Sequence, residues 1–224
     1  MESSAGLAEA ASLPWTPRTH AGTLRRQELR WTAWTSWVVV LFTAPGVALM
    51  LIEPLTLPAA LLCFAHAWAI PWIQARRGAT WLVPIGSERS AARRRDGDGG
   101  AESAALGLLA DLVGHRQREL LGETGVALER GALGAWLVGE QGAILVRPGG
   151  RRVDCWCVRV AQQEDLPAGD RVAHLLLALR EDEGGFAKVA NFGFSGARWR
   201  VRRHLPERSR AALEAARAAA RMAS

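Results

Sequence analysis

WTSWVVVLFTAPGVALMLIEPLTLPAALLCFAHAWAIPWIQ, residues 34–74, is an almost unbroken apolar run, interrupted at its middle by Glu53-Pro54. It divides into Trp34 to Ile52 and Leu55 to Ile73, each close to the roughly 20 residues a helix needs to cross about 30 Å of hydrocarbon. Peptide groups in lipid find no water to bond, so a segment this apolar crosses as a helix. The run therefore predicts a transmembrane helical hairpin at 34–74, with Pro45, Pro58 and Pro71 kinking or capping its helices. Trp31, Trp34 and Trp37 at one end, and Trp68, Trp72 and Trp81 at the other, match the indole belts found where hydrocarbon meets wet headgroups. A re-entrant wedge in one leaflet is the competing reading, suggested by the short turn and the prolines.

The flanks orient the run. Arg18, Arg25, Arg26 and Arg30 precede it, Arg76, Arg77 and Arg89 follow it, and the turn carries no cation. The positive-inside bias places both termini in the cytoplasm. Among the 28 basic residues only Lys188 is a lysine, and tyrosine is absent, as in a GC-rich bacterial genome; the expected location is a bacterial inner membrane. The net charge of +6 is spread along the chain rather than gathered in a tail, which speaks against nucleic acid as a partner. Cys63, Cys155 and Cys157 supply no disulfide framework, as expected of a reducing compartment.

Outward from the hairpin the chain divides into four parts. Residues 1–33 read as a tail followed by an interfacial amphipathic helix from Gly22 to Ser36, with Leu24, Leu29, Trp31 and Trp34 set against Arg25, Arg26 and Arg30. Residues 75–101, with Arg93-Arg94-Arg95 and the nearby Gly97, Gly99 and Gly100, read as a basic Gly-rich linker. Residues 102–224 read as an α+β domain. There Leu106, Leu109, Val113 and Leu120 share a helical face, predicting one helix from Glu102 to Leu121. Ala135 to Gly139, Gly142 to Arg147 and Val153 to Val160 predict a three-strand meander turning at Glu140-Gln141 and Pro148-Gly149-Gly150. Asp165 and Pro167 open a helix with the stripe Val172, Leu175, Leu176 and Leu179, closed by Gly184-Gly185. Phe186 to Phe194 and Ala197 to His204 read as a hairpin turning at Ser195-Gly196, and Pro206 opens a final helix.

A helix, three meandering strands and a helix resemble in outline the core of the restriction-endonuclease-like fold, including nuclease-related domains found on membrane proteins. That resemblance implies an acid on one strand and a Glu-x-Lys pair on the next, because two-metal phosphodiester hydrolysis needs carboxylates for Mg²⁺ and a cation near the nucleophile. This chain offers Asp154, Arg159 five residues on, and its one lysine, Lys188, elsewhere. The likeness is one of topology, and topology alone carries no activity.

The remaining chemical candidates each have a plainer explanation. Cys155-Trp156-Cys157 supplies two of the four ligands a structural zinc needs, with no companion pair, so both thiols are expected to be core residues and no metal or cofactor is expected. Gly193-Phe194-Ser195-Gly196 lacks the spacing of a nucleophile elbow. His66 is an ionisable group inside the second span and is the candidate intramembrane polar site. On the predicted last strand Arg198, Arg200 and Arg202 alternate with Trp199 and Val201, and Arg203 follows. This strip is the candidate contact for an anion or partner; its expected internal partners are Glu181, Asp182 and Glu183.

Together these features predict a membrane-anchored protein whose domain binds or regulates, with the bilayer, a protein partner or a second copy as its partners. The alternatives are a membrane-tethered hydrolase, or a binder of anionic lipid or nucleic acid through the arginine strip. Acids gathering with His115, His174 or His204 in one pocket would favour the hydrolase; their dispersal would favour the binding module.

Overall fold

A computed structural model describes residues 21–88, 99–158 and 166–222. The tail, Arg93 to Arg95 and Arg159 lie outside the described residues. The chain combines two long apolar helices with a mixed domain built on a five-stranded antiparallel sheet. Helix α1 (Ala21–Ile52) and helix α2 (Leu57–Thr80) are joined by Glu53 and a single 3₁₀ turn, Pro54–Thr56. Both are long and apolar enough to cross a membrane. Very little of their apolar stretches is covered by protein: Trp34, Trp37, Leu41, Leu51, Leu55 and Trp68 are all more than half exposed.

The hairpin is held together by small residues and a capped turn. Gly46 faces Phe64 and Cys63 so closely that an added Cβ would lie 3.0 Å from the Phe64 ring, and Ala60 is fully buried. Small residues at a crossing let two backbones approach, which is how helices pack where water supplies no driving force. Thr56 Oγ1 donates to the carbonyls of Leu49, 2.5 Å, and Glu53, 2.6 Å, satisfying acceptors left open where α1 ends.

The domain comprises α3 (Gly99–Leu112), α4 (His115–Thr124), β1 (Ala127–Gly131), β2 (Gly134–Gly139), β3 (Gly142–Val146), β4 (Arg152–Cys157), α5 (Ala168–Glu181), α6 (Glu183–Val189), β5 (Asn191–Ala197), α7 (Arg198–Arg202) and α8 (Glu207–Met222). The strands lie in the order β1-β2-β3-β4-β5. Strands β2 and β3 are buried throughout, because helices cover both faces of the sheet. Alternation sends Trp136, Val138, Leu145 and Trp156 to one face, against α3, α5 and α6. Leu137, Ile144, Val146, Val153, Cys155 and Phe194 point to the other, against α8 and the end of α2. The result is a helix–sheet–helix sandwich in which an apolar helix of the hairpin supplies part of one outer layer.

Several expectations are corrected here. The interfacial helix is not separate: no glycine or proline interrupts residues 24–44, and α1 runs through without a break. The linker does not begin at residue 75, since Ala75, Ala79 and Leu82 are core residues and Val83 O accepts from Glu140 N at 2.9 Å. The helix expected from Glu102 to Leu121 breaks at Gly114, whose extended backbone and bond to Gln117 Oε1 start α4 afresh. Gly184-Gly185 do not end a helix; Asp182 accepts from Gly185 N at 2.8 Å and caps α6, which replaces the expected hairpin's first strand as far as Val189, and β5 then runs from Asn191 straight through the expected Ser195-Gly196 turn to Ala197. Its second strand is also wrong after Ala197. Val201 and Leu205 are both buried, a spacing that suits a helical turn, and the backbone follows it.

Candidate functional site at the hairpin and domain junction

The ends of α1 and α2 that lie beyond the apolar run dock onto the sheet, and each uses a different chemistry. On α2 the contact is one of close backbone approach. A Cβ on Gly78 would stand 2.7 Å from Phe194 Cβ and 3.2 Å from Cys155, so only glycine lets the helix lie this near the sheet. Trp81 closes over Gly193, whose missing side chain leaves room for the indole. On α1 the contact is ionic and aromatic. Glu28 pairs with Arg147 at 3.3 Å and with Arg152 at 2.5 Å, and Arg152 also donates to Thr32 Oγ1 at 3.0 Å. Arg147 Nε in turn donates to Asp154 at 2.6 Å. Burial raises the Asp154 carboxyl above its ordinary range, with Arg147 opposing that shift and Glu28 adding to it. Trp31 stands edge-on to Phe192, which continues through Trp156 and Trp136 to Phe186 as an aromatic row across the sheet.

Beside these contacts, the hairpin and α7 line a half-open cavity of about 310 Å³. Its apolar wall is Val39, Ala67, Pro71 and Ala75; its other wall is Trp199, Arg200, Arg203 and His204, with Trp68 and Trp72 between. Arg203 and Arg200 lie over the Trp199 ring, 4.8 and 5.5 Å from its centroid, and Arg76 lies 5.4 Å from that of Trp72. His204 meets Trp72 edge-on at 5.0 Å. Its imidazole is held below its ordinary range, first by burial and then by the charges of Arg76 and Arg203. Among the described residues no carboxylate pairs with Arg76, Arg200 or Arg203. The cavity is therefore a cationic pocket with aromatic walls.

The arginine strip thus divides in two. On a helical turn Arg198 and Arg202 leave the pocket and share Glu214, at 2.5 and 3.2 Å, with Arg217 joining at 3.3 Å. Burial pushes the Glu214 carboxyl up, but the Arg198 bond and the arginine charges outweigh it and leave the group below its ordinary range. Two of the three expected acidic partners are occupied elsewhere: Asp182 caps α6, and Glu183 accepts from Leu133 N and from the Trp136 indole. Arg200 and Arg203 remain at the cavity. His66 lies away from it, its ring stacked on Phe42 at 5.4 Å and its Nδ1–H donating to Leu62 O at 2.8 Å.

Among the described residues the histidines do not converge with acids. His115 and His174 are exposed on α4 and α5, and His204 has arginines rather than carboxylates around it. Cys155 is fully buried, which pushes its thiol well up and makes it unreactive. Among the described residues no three His, Cys, Asp or Glu side chains are grouped to hold a metal. The meeting of Trp72 and Trp199 in one pocket was not readable from spacing, because they come from α2 and α7, which the whole sheet separates in sequence. The chain matches no protein-family model, no curated protein and no solved structure.

Proposed function

We propose that this chain is a membrane-anchored binding protein, a regulatory or scaffolding module held at the cytoplasmic face of a bacterial inner membrane by a two-span hairpin with both termini inside. The observation that carries the reading is the continuity of α1 and α2 from their bare apolar stretches into the sheet packing. A domain tethered by a flexible linker is free to turn; one that shares its outer layer with the anchor keeps a fixed height and tilt above the bilayer. Such coupling suits a module that must present one surface at the membrane or transmit a change in the hairpin. The dispersal of His115 and His174 away from His204 and from the acids favours binding over hydrolysis.

The test has two arms. In a background lacking the native cysteines, single cysteines at Ser3 and Ser224 are expected to resist a membrane-impermeant thiol reagent in intact cells, while one at Glu53 reacts. Labelling at Ser224 would overturn the orientation, and protection at Glu53 would favour a re-entrant wedge. The purified full chain is then offered ester, peptide and phosphodiester substrates. Turnover that His204→Ala or Asp154→Asn abolishes would replace the binding reading with the hydrolase reading.

A further inference from the structure

The pocket at the junction sits at a height where only one kind of ligand has both its parts satisfied. From Pro54 to Trp72 the chain rises about 27 Å at about 1.5 Å per residue, close to the roughly 30 Å of a hydrocarbon core. Trp72 therefore marks the near edge of the bilayer. Val39 and Ala67 lie deeper, by about 8 Å for Ala67 on the same rise. The cavity thus has the Val39 and Ala67 part of its apolar wall in the acyl region and its arginines at headgroup level.

We infer that this cavity binds one anionic phospholipid. Its phosphate is held by Arg200 and Arg203, its glycerol region lies against Trp68, Trp72 and Trp199, and its first acyl carbons run over Val39, Ala67 and Pro71. Guanidinium groups grip phosphate oxygens with paired, charge-assisted bonds, and indoles are at home at this depth. The two arginines are already positioned by stacking on Trp199, so binding does not have to order them. Arg198 and Arg202, from the same turn, are neutralised by Glu214 and contribute little. A small soluble anion would satisfy the arginines and leave the apolar wall empty; a neutral lipid would do the reverse.

The inference rests on the hairpin being embedded, and its test separates the two. The full-length protein is placed in vesicles of zwitterionic lipid doped with brominated phosphatidylglycerol or, separately, with brominated phosphatidylcholine. Tryptophan emission is expected to be quenched more by the brominated anionic lipid at equal mole fraction, and Arg200→Gln with Arg203→Gln should remove that excess. The apparent affinity for the anionic lipid should fall about tenfold or more in the double variant, the size of effect one lost charge-assisted pair produces. Arg116→Gln with Arg118→Gln, remote on α4, should leave it unchanged. Arg200→Lys with Arg203→Lys keeps the charge and should retain part of the preference, a result loss of folding would not give. Equal quenching by both brominated lipids overturns the lipid site while leaving the anchor intact, whereas no quenching by either overturns the anchor itself. Displacement of the preference by excess inorganic phosphate would assign the arginines to a soluble anion and overturn the lipid assignment.

Discussion

The outer stretch of the hairpin and the central strands of the sheet are made of the same residues, yet they end in opposite surroundings. Val38-Val39-Val40-Leu41-Phe42 on α1 and Ala143-Ile144-Leu145-Val146 on β3 are equally apolar; Val40 and Leu41 are 57% and 58% exposed, while Ile144 and Leu145 are at most 1% exposed. Hydrophobicity alone therefore does not say what covers a segment. Length and periodicity do: a strand of five residues flanked by glycine turns can be sandwiched by helices, whereas a helix of 32 residues outruns any layer this domain could lay over it. A contiguous bare apolar surface of this extent is rare on monomeric soluble proteins. The same two helices obey both regimes, bare over their outer stretches and packed as domain core at their inner ends.

The sharpest way to break that contrast is to place a side chain in each crossing. Gly78→Val forces a Cβ against Phe194 and Cys155, and is expected to destabilise the domain by about 3 kcal/mol, the upper range for overpacking a core. Gly46→Ala meets the Phe64 ring at 3.0 Å and Cys63 Cβ at 3.3 Å, contacts that a small give relieves and that the gain in helix propensity offsets, so its effect should stay within about 1 kcal/mol. Chemical denaturation of both variants in the same detergent measures the difference. Equal effects would mean that the inner end of α2 is not part of the core.

Next in size is the α1 latch. Glu28→Ala removes the acceptor shared by Arg147 and Arg152 and should cost about 2 kcal/mol, as expected for bonds to charged groups. Hydrogen exchange should speed up in residues 25–33 and leave β2 and β3 unchanged. Uniform protection in the variant would show that the aromatic contact of Trp31 holds the helix by itself.

How far this arrangement was legible depends on whether a residue acts along its own element or across several. The apolar helices, the strands at 134–139 and 142–146 and the stripe Val172, Leu175, Leu176, Leu179 are local patterns, and each was readable. Strand β1 was missed because Ala127-Leu128-Glu129-Arg130 looks like the continuation of the helix before it; only pairing with β2 makes it a strand. The Arg198 to Arg202 alternation suggested a strand because five residues are too few to separate a period of 2 from a period of 3.6. Arg76 and Trp72 had no visible tie to Arg200 and Arg203, since the tie exists only once α2 has docked.

Smaller effects sharpen the split within the arginine strip. Glu214→Ala leaves Arg198, Arg202 and Arg217 without their shared acid and should cost about 1 kcal/mol, modest because the carboxylate is 41% exposed and screened by solvent. Because its folded carboxyl titrates below the ordinary 4.5, this contribution is present above that value and fades as pH falls through the lower, folded one. Wild type should lose it on acidification and Glu214→Ala should show no such loss. A wild-type curve that matches the variant would remove the arginine cluster from the stability of the domain.

The smallest expected effect on stability belongs to His204. Its imidazole is held below 6.5, so the unfolded chain takes up the proton first, and stability falls slightly as pH drops from about 6.5 towards the folded value. In nuclear magnetic resonance titrations the ring should protonate below 6.5 in zwitterionic lipid and move upward when anionic lipid occupies the pocket, because a nearby phosphate favours the charged ring. No movement would separate His204 from the proposed headgroup.

The contrast between bare and buried apolar surface stands or falls on what covers the outer stretch. Spin labels replacing Val40, Met50 and Leu61, all more than half exposed on the outside of the hairpin, can be read in vesicles by collision with oxygen, which concentrates in hydrocarbon, and with a neutral nickel chelate, which stays in water. The account predicts frequent oxygen collisions and few chelate collisions at all three sites, with the reverse for a label at Gln27 beside the domain. Frequent chelate collisions at Val40, Met50 and Leu61 would place the hairpin in water and contradict it.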